Sequence, residues 1–100
     1  MKPYKLMPAA EEDLAEIVDR IAEDSPRNAR KVFDKIHADA KKLAEMPLIG
    51  HTREDITDKP LRFWAVYSWL IVYRPETSPL EILRIVHGAR DLAHEPHLEG

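Results

Sequence analysis

The sequence contains no cysteine, and only three of its 100 residues are glycine. The absence of cysteine excludes disulfide bonds and thiolate metal ligands, and it is consistent with a reducing compartment. No uninterrupted apolar run exceeds five residues, whereas a membrane-spanning helix needs about 20. No Gly/Ser-rich linker, internal repeat or low-complexity segment interrupts the sequence. We therefore expect a single domain over residues 1–100.

The sequence also lacks a large excess of basic residues. Its net charge is −3, which argues against nucleic acid as the main partner, because proteins held by phosphates usually carry a strong positive charge. One segment is basic: residues 25–53 contain seven Lys and Arg against three Asp and Glu. The N-terminal residues show no signal-peptide pattern. We expect a cytoplasmic protein that needs no cofactor or metal and binds neither membranes nor specific nucleic-acid sequences.

The first half of the sequence predicts a short strand at residues 4–7 and two amphipathic helices. Pro8 suits the first turn of the first helix, which should end near residue 24. Ser25-Pro26 can act as the N-cap and first residue of a longer helix, which Met46-Pro47 ends. So short a connection predicts an antiparallel helical hairpin. Apolar stripes are formed by Leu14, Ile17, Val18 and Ile21 in the first helix, and by Ala29, Val32, Phe33, Ile36, Ala40 and Leu43 in the second.

The second half predicts three antiparallel strands on which the helices can pack. Segments 61–66, 69–74 and 80–86 are dense in aromatic and β-branched residues. Tyr67-Ser68 is the expected turn between the first two strands, and Gly88 ends the last one. The predicted fold class is therefore α+β in two layers, a helical hairpin on one face of an antiparallel sheet. Function is expected on the other, partly open face.

Three motifs occur together at a characteristic spacing: Pro47-x-x-Gly50, the strand end Tyr73-Arg74, and His87-Gly88-Ala89-Arg90-Asp91. With them, nearly the whole chain resembles the RelE/ParE superfamily of bacterial type II toxins, and the ParE branch in particular. The resemblance implies that the first strand lies beside the last, in the order 1-4-3-2. It also implies a cognate antitoxin, which wraps its C-terminal tail around the toxin. ParE-like members inhibit DNA gyrase by binding and have no active site of their own.

RelE-like members are instead ribosome-dependent endoribonucleases that cleave mRNA, and this is the alternative function. Such cleavage needs groups that activate the 2′-hydroxyl, balance the phosphate charge and protonate the leaving oxygen. Arg74, His87 and Arg90 are the candidates for these roles. Leu70 stands where a ribonuclease member has an arginine, and no tyrosine or lysine follows Tyr73. A ParE-like binder is therefore the main hypothesis, and a degenerate toxin that only binds its antitoxin is a third.

For a binder, aromatic and basic side chains of the strands are the candidate contacts with a partner protein. Each has a structural alternative, because an arginine at a strand end often pairs with a carboxylate and a tryptophan often packs into the core. Arg84 lies in mid-strand, where a buried arginine must find a partner, so it is expected to be structural. The candidate contacts are Arg62, Trp64, Trp69, Arg74, His87 and Arg90.

The basic segment suggests electrostatic steering of an acidic antitoxin tail towards the toxin. The same pattern also fits an ordinary solvated helix face. The residues concerned on the second helix are Arg27, Lys31, Lys35 and Lys42.

The C-terminal residues superficially suggest a metal site. However, His94 and His97 are three residues apart with a proline between them, whereas the zinc helix needs histidines four apart on one face. We expect residues 91–100 to form a tail that is mobile or ordered by the antitoxin.

Overall fold

The computed structural model describes residues 3–88. Each predicted helix and strand is present, and the boundaries differ from the predicted ones by no more than one residue. Arg90 and the predicted tail at residues 91–100 lie outside the described residues. The elements in chain order are β1 (Tyr4–Leu6), α1 (Pro8–Asp24), α2 (Pro26–Glu45), β2 (Arg62–Val66), β3 (Trp69–Arg74) and β4 (Leu80–His87).

The four strands form one sheet in the order β1-β4-β3-β2, as the family resemblance implied. β2, β3 and β4 pair antiparallel as predicted. β1 pairs with β4 in parallel, with Tyr4 opposite Leu80 and Leu6 opposite Ile82, so the sheet is mixed. The reason is connectivity: turns force β2, β3 and β4 to alternate in direction, whereas β1 reaches β4 only through a long connection that allows either direction.

Local capping sets the ends of both helices. A single residue, Ser25, separates α1 from α2, and its hydroxyl accepts a hydrogen bond from the backbone N–H of Asn28 at 3.1 Å. Pro26 follows as the first residue of α2, a position where its missing N–H costs nothing. The helices therefore fold back as the predicted hairpin. None of the described helices is both long and apolar enough to cross a membrane.

The main core lies between the helical hairpin and the sheet. It includes the fully buried side chains of Ile36, Leu43, Ile71, Tyr73 and Ile82.

Phe33 differs from the expectation, because it is only half-buried and packs at the rim of this core. Its ring centroid lies 4.5 Å from that of His37. Phe33 precedes Ile36 by three residues, which places the two side chains about 60° apart around a helix of 3.6 residues per turn. The ring is therefore rotated away from the sheet and towards the junction of the two helices.

The second face of the sheet is covered, contrary to the expectation of a partly open face. A second cluster of buried apolar residues lies on this face, and Met7 and Ile56 pack against it. Ile56 belongs to the loop between α2 and β2. β4 is consequently buried on both faces, as its run of apolar residues predicted. The buried members of the cluster are Leu61, Phe63, Val72, Leu83 and Val86.

The turn of the β2–β3 hairpin contains the predicted Tyr67-Ser68 pair. Tyr67 has a φ of 54° and is 64% exposed. A positive φ matches the twist of a two-residue hairpin, but it is unfavourable for a residue with a bulky side chain. The turn therefore forms without the Asn-Gly pair that usually marks it.

Candidate protein-binding surfaces

Arg84 is held by Asp13 in a bidentate ion pair that joins α1 to β4. The Nε and Nη2 atoms of Arg84 donate to the two carboxylate oxygens of Asp13 at 2.7 and 3.0 Å. The same carboxylate accepts the backbone N–H of Ile85 at 2.9 Å. Arg84 therefore has the structural partner expected of an arginine in a central strand.

Arg62 and Tyr73 together hold the Pro47-x-x-Gly50 loop. The hydroxyl of Tyr73 donates to the carbonyl of Pro47 at 2.8 Å and accepts the N–H of Gly50 at 3.0 Å. Arg62 donates to the carbonyls of Gly50 at 2.7 Å and Leu48 at 3.3 Å. Burial raises the pKa of Tyr73, and the hydrogen bond from Gly50 and the charge of Arg62 partly oppose this. The partners of Arg62 are thus backbone carbonyls of its own chain.

Gly50 cannot carry a side chain without moving Tyr73. A Cβ atom built on Gly50 would overlap the hydroxyl of Tyr73 and lie 2.9 Å from two of its ring carbons. The Pro47-x-x-Gly50 motif in the loop and the Tyr73-Arg74 motif at the strand end therefore depend on each other through the contact between Gly50 and the Tyr73 side chain. That contact is structural.

Arg74 forms an ion pair across the β3–β4 ladder. It lies opposite Glu81 in register, and its Nη1 donates to the carboxylate at 2.8 Å. The glutamate side chain is partly buried, which reduces solvent screening of the pair.

Trp64 lies on the edge strand β2 and packs against α2. Its Nε1 donates to the carboxylate of Asp39 at 3.2 Å, and the Nζ of Lys42 lies 5.2 Å from the centre of its ring. Asp39 also pairs with Lys35 at 3.1 Å. Trp64 is half-buried, so part of its surface remains available to a partner.

Trp69 and His87 lie opposite each other at the far end of the β3–β4 ladder. Their rings meet edge to face, with centroids 6.5 Å apart. They form one side of a groove of about 540 Å³ between α1 and the end of β4, referred to below as the edge groove. The other lining residues are Asp13, Glu16, Ile17, Arg20, Ile21 and Ile85.

The floor of the edge groove includes a strand edge. β1 pairs with β4 only as far as Ile82, while β4 continues to His87. The N–H of Gly88 donates to the carbonyl of Ser68 at 2.9 Å, and hydrogen-bonded pairs alternate along an antiparallel ladder. The backbone of Ile85 therefore points away from β3 and into the groove, where the Asp13 carboxylate caps its N–H.

A sequence-family model, described as the ParE toxin of the parDE type II toxin–antitoxin system, matches residues 4–92. The chain belongs to the ParE toxin family. A solved chain described as the chromosomal ParDE toxin–antitoxin system from P. aeruginosa is 24% identical, with a TM-score of 0.67 over 84% of this chain and 92% of that one. That likeness confirms the fold. No curated protein matched the sequence.

The basic residues of α2 do not line the edge groove of the toxin. They are exposed on the other helix of the hairpin, and the α1 wall of the groove carries Asp13, Glu16 and Arg20 instead. Any electrostatic attraction of an acidic antitoxin tail by these basic residues would therefore act from outside the edge groove. The residues concerned are Arg27, Lys31, Lys35 and Lys42.

No group of three or more histidine, aspartate or glutamate side chains within residues 3–88 of the toxin is arranged to hold a metal ion. His94 and His97 lie outside this range.

Several residues of these surfaces were not predicted from the sequence. Asp13, Ile17 and Ile21 recur at intervals of four residues, and this signal places them on one face of α1. It does not reveal that the face meets a strand edge. Met46 and Leu48 are 50% and 68% exposed, and no sequence pattern distinguished them from buried apolar residues.

Proposed function

We propose that this toxin inhibits growth by binding DNA gyrase, and that an antitoxin tail in the edge groove neutralises it. Membership of the ParE family supports the general class. The P. aeruginosa structure is described as a ParDE toxin–antitoxin system, which supports an antitoxin partner for this chain as well. Binding, rather than catalysis, is the proposed mode of action.

The observation that carries the choice between gyrase and RNA is how the arginines of the sheet are engaged. Arg62 is bonded to loop carbonyls, Arg74 to Glu81, and Arg84 to Asp13. A ribonuclease needs cations directed at the phosphate that gains charge in the transition state. Arginines already bonded within their own chain are poorly placed for that role, which favours a binder.

The second face of the sheet supports the same choice. A nuclease face would present several basic side chains, whereas here a buried apolar cluster occupies the sheet between its edges. Arg74 lies at one end of this face, paired with Glu81. His87 does not add a basic group to this face, because it lies on the face that the helices cover, where its ring contacts Trp69.

The edge groove has the properties of a site for an extended peptide. Its floor combines apolar side chains with the outward-facing backbone of Ile85. A peptide strand added there could donate to the outward-facing carbonyl of Ile85, whose N–H is already bonded to Asp13, and an apolar side chain could lie between Ile17 and Ile21. Ordering a flexible tail costs free energy, which contacts along the groove can offset.

Induced expression followed by two parallel assays tests the proposed target. We expect inhibition of gyrase supercoiling, with no early loss of protein synthesis. Rapid mRNA cleavage with normal supercoiling would instead establish the ribonuclease alternative. In that case an Arg74→Ala variant should abolish the mRNA cleavage. A protein that shows neither activity yet still binds the product of the adjacent reading frame would be a degenerate toxin.

A matched pair of variants tests the antitoxin groove. Ile21→Arg places a long cation within the edge groove, whereas Ala15→Arg places the same side chain on an exposed position of the same helix. We expect Ile21→Arg to weaken binding of the adjacent gene's product at least about tenfold, as loss of an interface anchor commonly does. Equal affinities of the two variants in calorimetry would place the antitoxin elsewhere.

A further inference from the structure

Two large apolar side chains, Met46 and Leu48, are displayed on the loop that follows α2. They are 50% and 68% exposed. Isolated exposed apolar residues are common on protein surfaces and need no explanation. These two flank Pro47, however, in a loop whose backbone the fold holds in place.

Side chains of the sheet fix this loop from below. Tyr73 bonds to the backbone of Pro47 and Gly50, and Arg62 bonds to the carbonyls of Leu48 and Gly50. The loop is also closed on its own backbone, since the N–H of Ile49 donates to the carbonyl of Met46 at 3.2 Å. The two apolar side chains are thus presented by a preorganised backbone, which lowers the entropy cost of binding.

The surroundings of the loop are aromatic and positively charged. Lys42 lies one helical turn before Met46, whose N–H donates to the Lys42 carbonyl at 2.9 Å, and its ammonium group lies over the ring of Trp64. Arg62 projects from the same face of β2 as Trp64 and reaches the Leu48 carbonyl. The ion pairs found among the described residues involve neither Lys42 nor Arg62. The loop and its neighbours therefore form one continuous surface that is apolar at its centre and carries the charges of Lys42 and Arg62 at its margin. Two carboxylates adjoin it: that of Asp39 is paired with Lys35, and that of Glu45 is exposed beside Met46.

We propose that this surface is where the toxin binds its target, and that the complementary site is an apolar pocket bordered by acidic side chains on a folded protein. This inference rests on the proposed function and names the part of the toxin that carries it out. Tryptophan and methionine are enriched at protein interfaces, and tryptophan is among the residues that contribute most of the binding energy there. We call this surface the anchor surface; it consists of Lys42, Met46, Leu48 and Trp64, while Arg62, whose guanidinium is bonded to the loop carbonyls, supports the loop and contributes charge at its margin.

The shape of the anchor surface favours the target over the antitoxin as its occupant. Met46 and Leu48 project into solvent from a loop that hydrogen bonds hold in place, so this surface fits a preformed pocket on a folded partner. A flexible tail is better matched by the concave edge groove. The two sites lie at opposite ends of the strands: Arg62 is opposite Tyr73 at one end, and Trp69 is opposite His87 at the other.

Replacement of Leu48 tests the anchor surface, with Tyr67 as the matched control. Both side chains are large, apolar and about equally exposed, but Tyr67 lies in the hairpin turn away from the loop. We expect Leu48→Asp to raise the concentration for half-inhibition of gyrase supercoiling at least about tenfold, because it places a charge in an apolar pocket. Tyr67→Asp should change this concentration less than about twofold, because the same charge is placed away from the loop, and the thermal midpoints of both variants should show that they are folded.

Lys42→Glu provides a second, independent variant, because the Lys42 side chain makes none of the hydrogen bonds that hold the loop backbone. It should weaken inhibition about fivefold or more at low salt, by repulsion from the acidic margin of the pocket. If both variants inhibit supercoiling as strongly as the parent, the anchor surface is refuted. If the parent stops growth without affecting gyrase, the gyrase proposal fails, and growth suppression by the same variants then decides whether the surface binds another target.

Discussion

The contact between the Tyr73 hydroxyl and Gly50 predicts a specific pattern of stabilities in a double-mutant cycle. Tyr73→Phe removes a donor to Pro47 and an acceptor for Gly50. Gly50 is buried, so its N–H would be left without a partner, and an unsatisfied buried donor costs about 1–3 kcal/mol. The carbonyl of Pro47 is partly exposed and can be satisfied by water. We expect a loss of about 2 kcal/mol from the free energy of unfolding.

Gly50→Ala should be at least as damaging in the parent, because the new methyl group overlaps the hydroxyl of Tyr73. Displacing a fully buried ring typically costs about 1–3 kcal/mol. Once Tyr73→Phe has removed the hydroxyl, the nearest known contacts of the new methyl group are two ring carbons at 2.9 Å. The second substitution should then cost about 1 kcal/mol less than it does alone, so the two effects should not add.

Urea unfolding followed by tryptophan fluorescence measures all four corners of the cycle. A stability of about 5–15 kcal/mol, usual for such a domain, leaves each variant enough margin to fold. Tyr67→Phe is the control, since it removes a hydroxyl from an exposed ring and should change stability by less than about 0.5 kcal/mol. Additivity of the two core substitutions within about 0.3 kcal/mol would refute the proposed coupling.

The same hydroxyl makes stability depend on alkaline pH. Burial raises the pKa of Tyr73 above its ordinary value, whereas in the unfolded chain it stays near 10. Ionisation therefore favours unfolding: the stabilisation is complete below about pH 10 and is lost as pH rises through the folded-state pKa. Tyr73→Phe should therefore lose less stability than the parent as the pH rises above about 10. Some loss should remain, because burial also raises the pKa of Tyr4.

Three further outcomes are expected. Tyr67→Asn should stabilise the protein by about 0.5–1 kcal/mol in thermal unfolding, because asparagine tolerates a positive φ better; a lower thermal midpoint would contradict this. Asp13→Asn should cost about 2 kcal/mol in urea unfolding, because it weakens the partly buried pair with Arg84, and a loss below about 0.5 kcal/mol would show that the pair is dispensable. Reversing Lys31 and Lys35 to glutamate should slow association with the antitoxin at low salt and leave dissociation unchanged in stopped-flow experiments; an unaltered association rate would reduce those lysines to a solubility role.

The sequence by itself determined the secondary structure almost completely. The Ser25-Pro26 pair ends one helix and begins the next, and the signal works because capping acts within three residues. Apolar periodicity likewise identified the stripes of both helices and the doubly buried strand β4. The strand order followed from the family resemblance, since no local pattern states which strands are neighbours.

The tertiary structure decided what the functional candidates contact. The partner of Arg84 is 71 residues away in the chain, and only the packing of α1 on β4 brings the two side chains together. Phe33 follows the same periodicity as the buried residues around it, yet the crossing of the helices leaves it at the rim. Leu48 is as apolar as a core residue, but it is exposed because Tyr73 and Arg62 fix the loop backbone beneath it. Periodicity and capping depend on neighbours a few residues apart, whereas burial and ion pairing depend on which distant segments share a surface, and that is settled only when the whole chain packs.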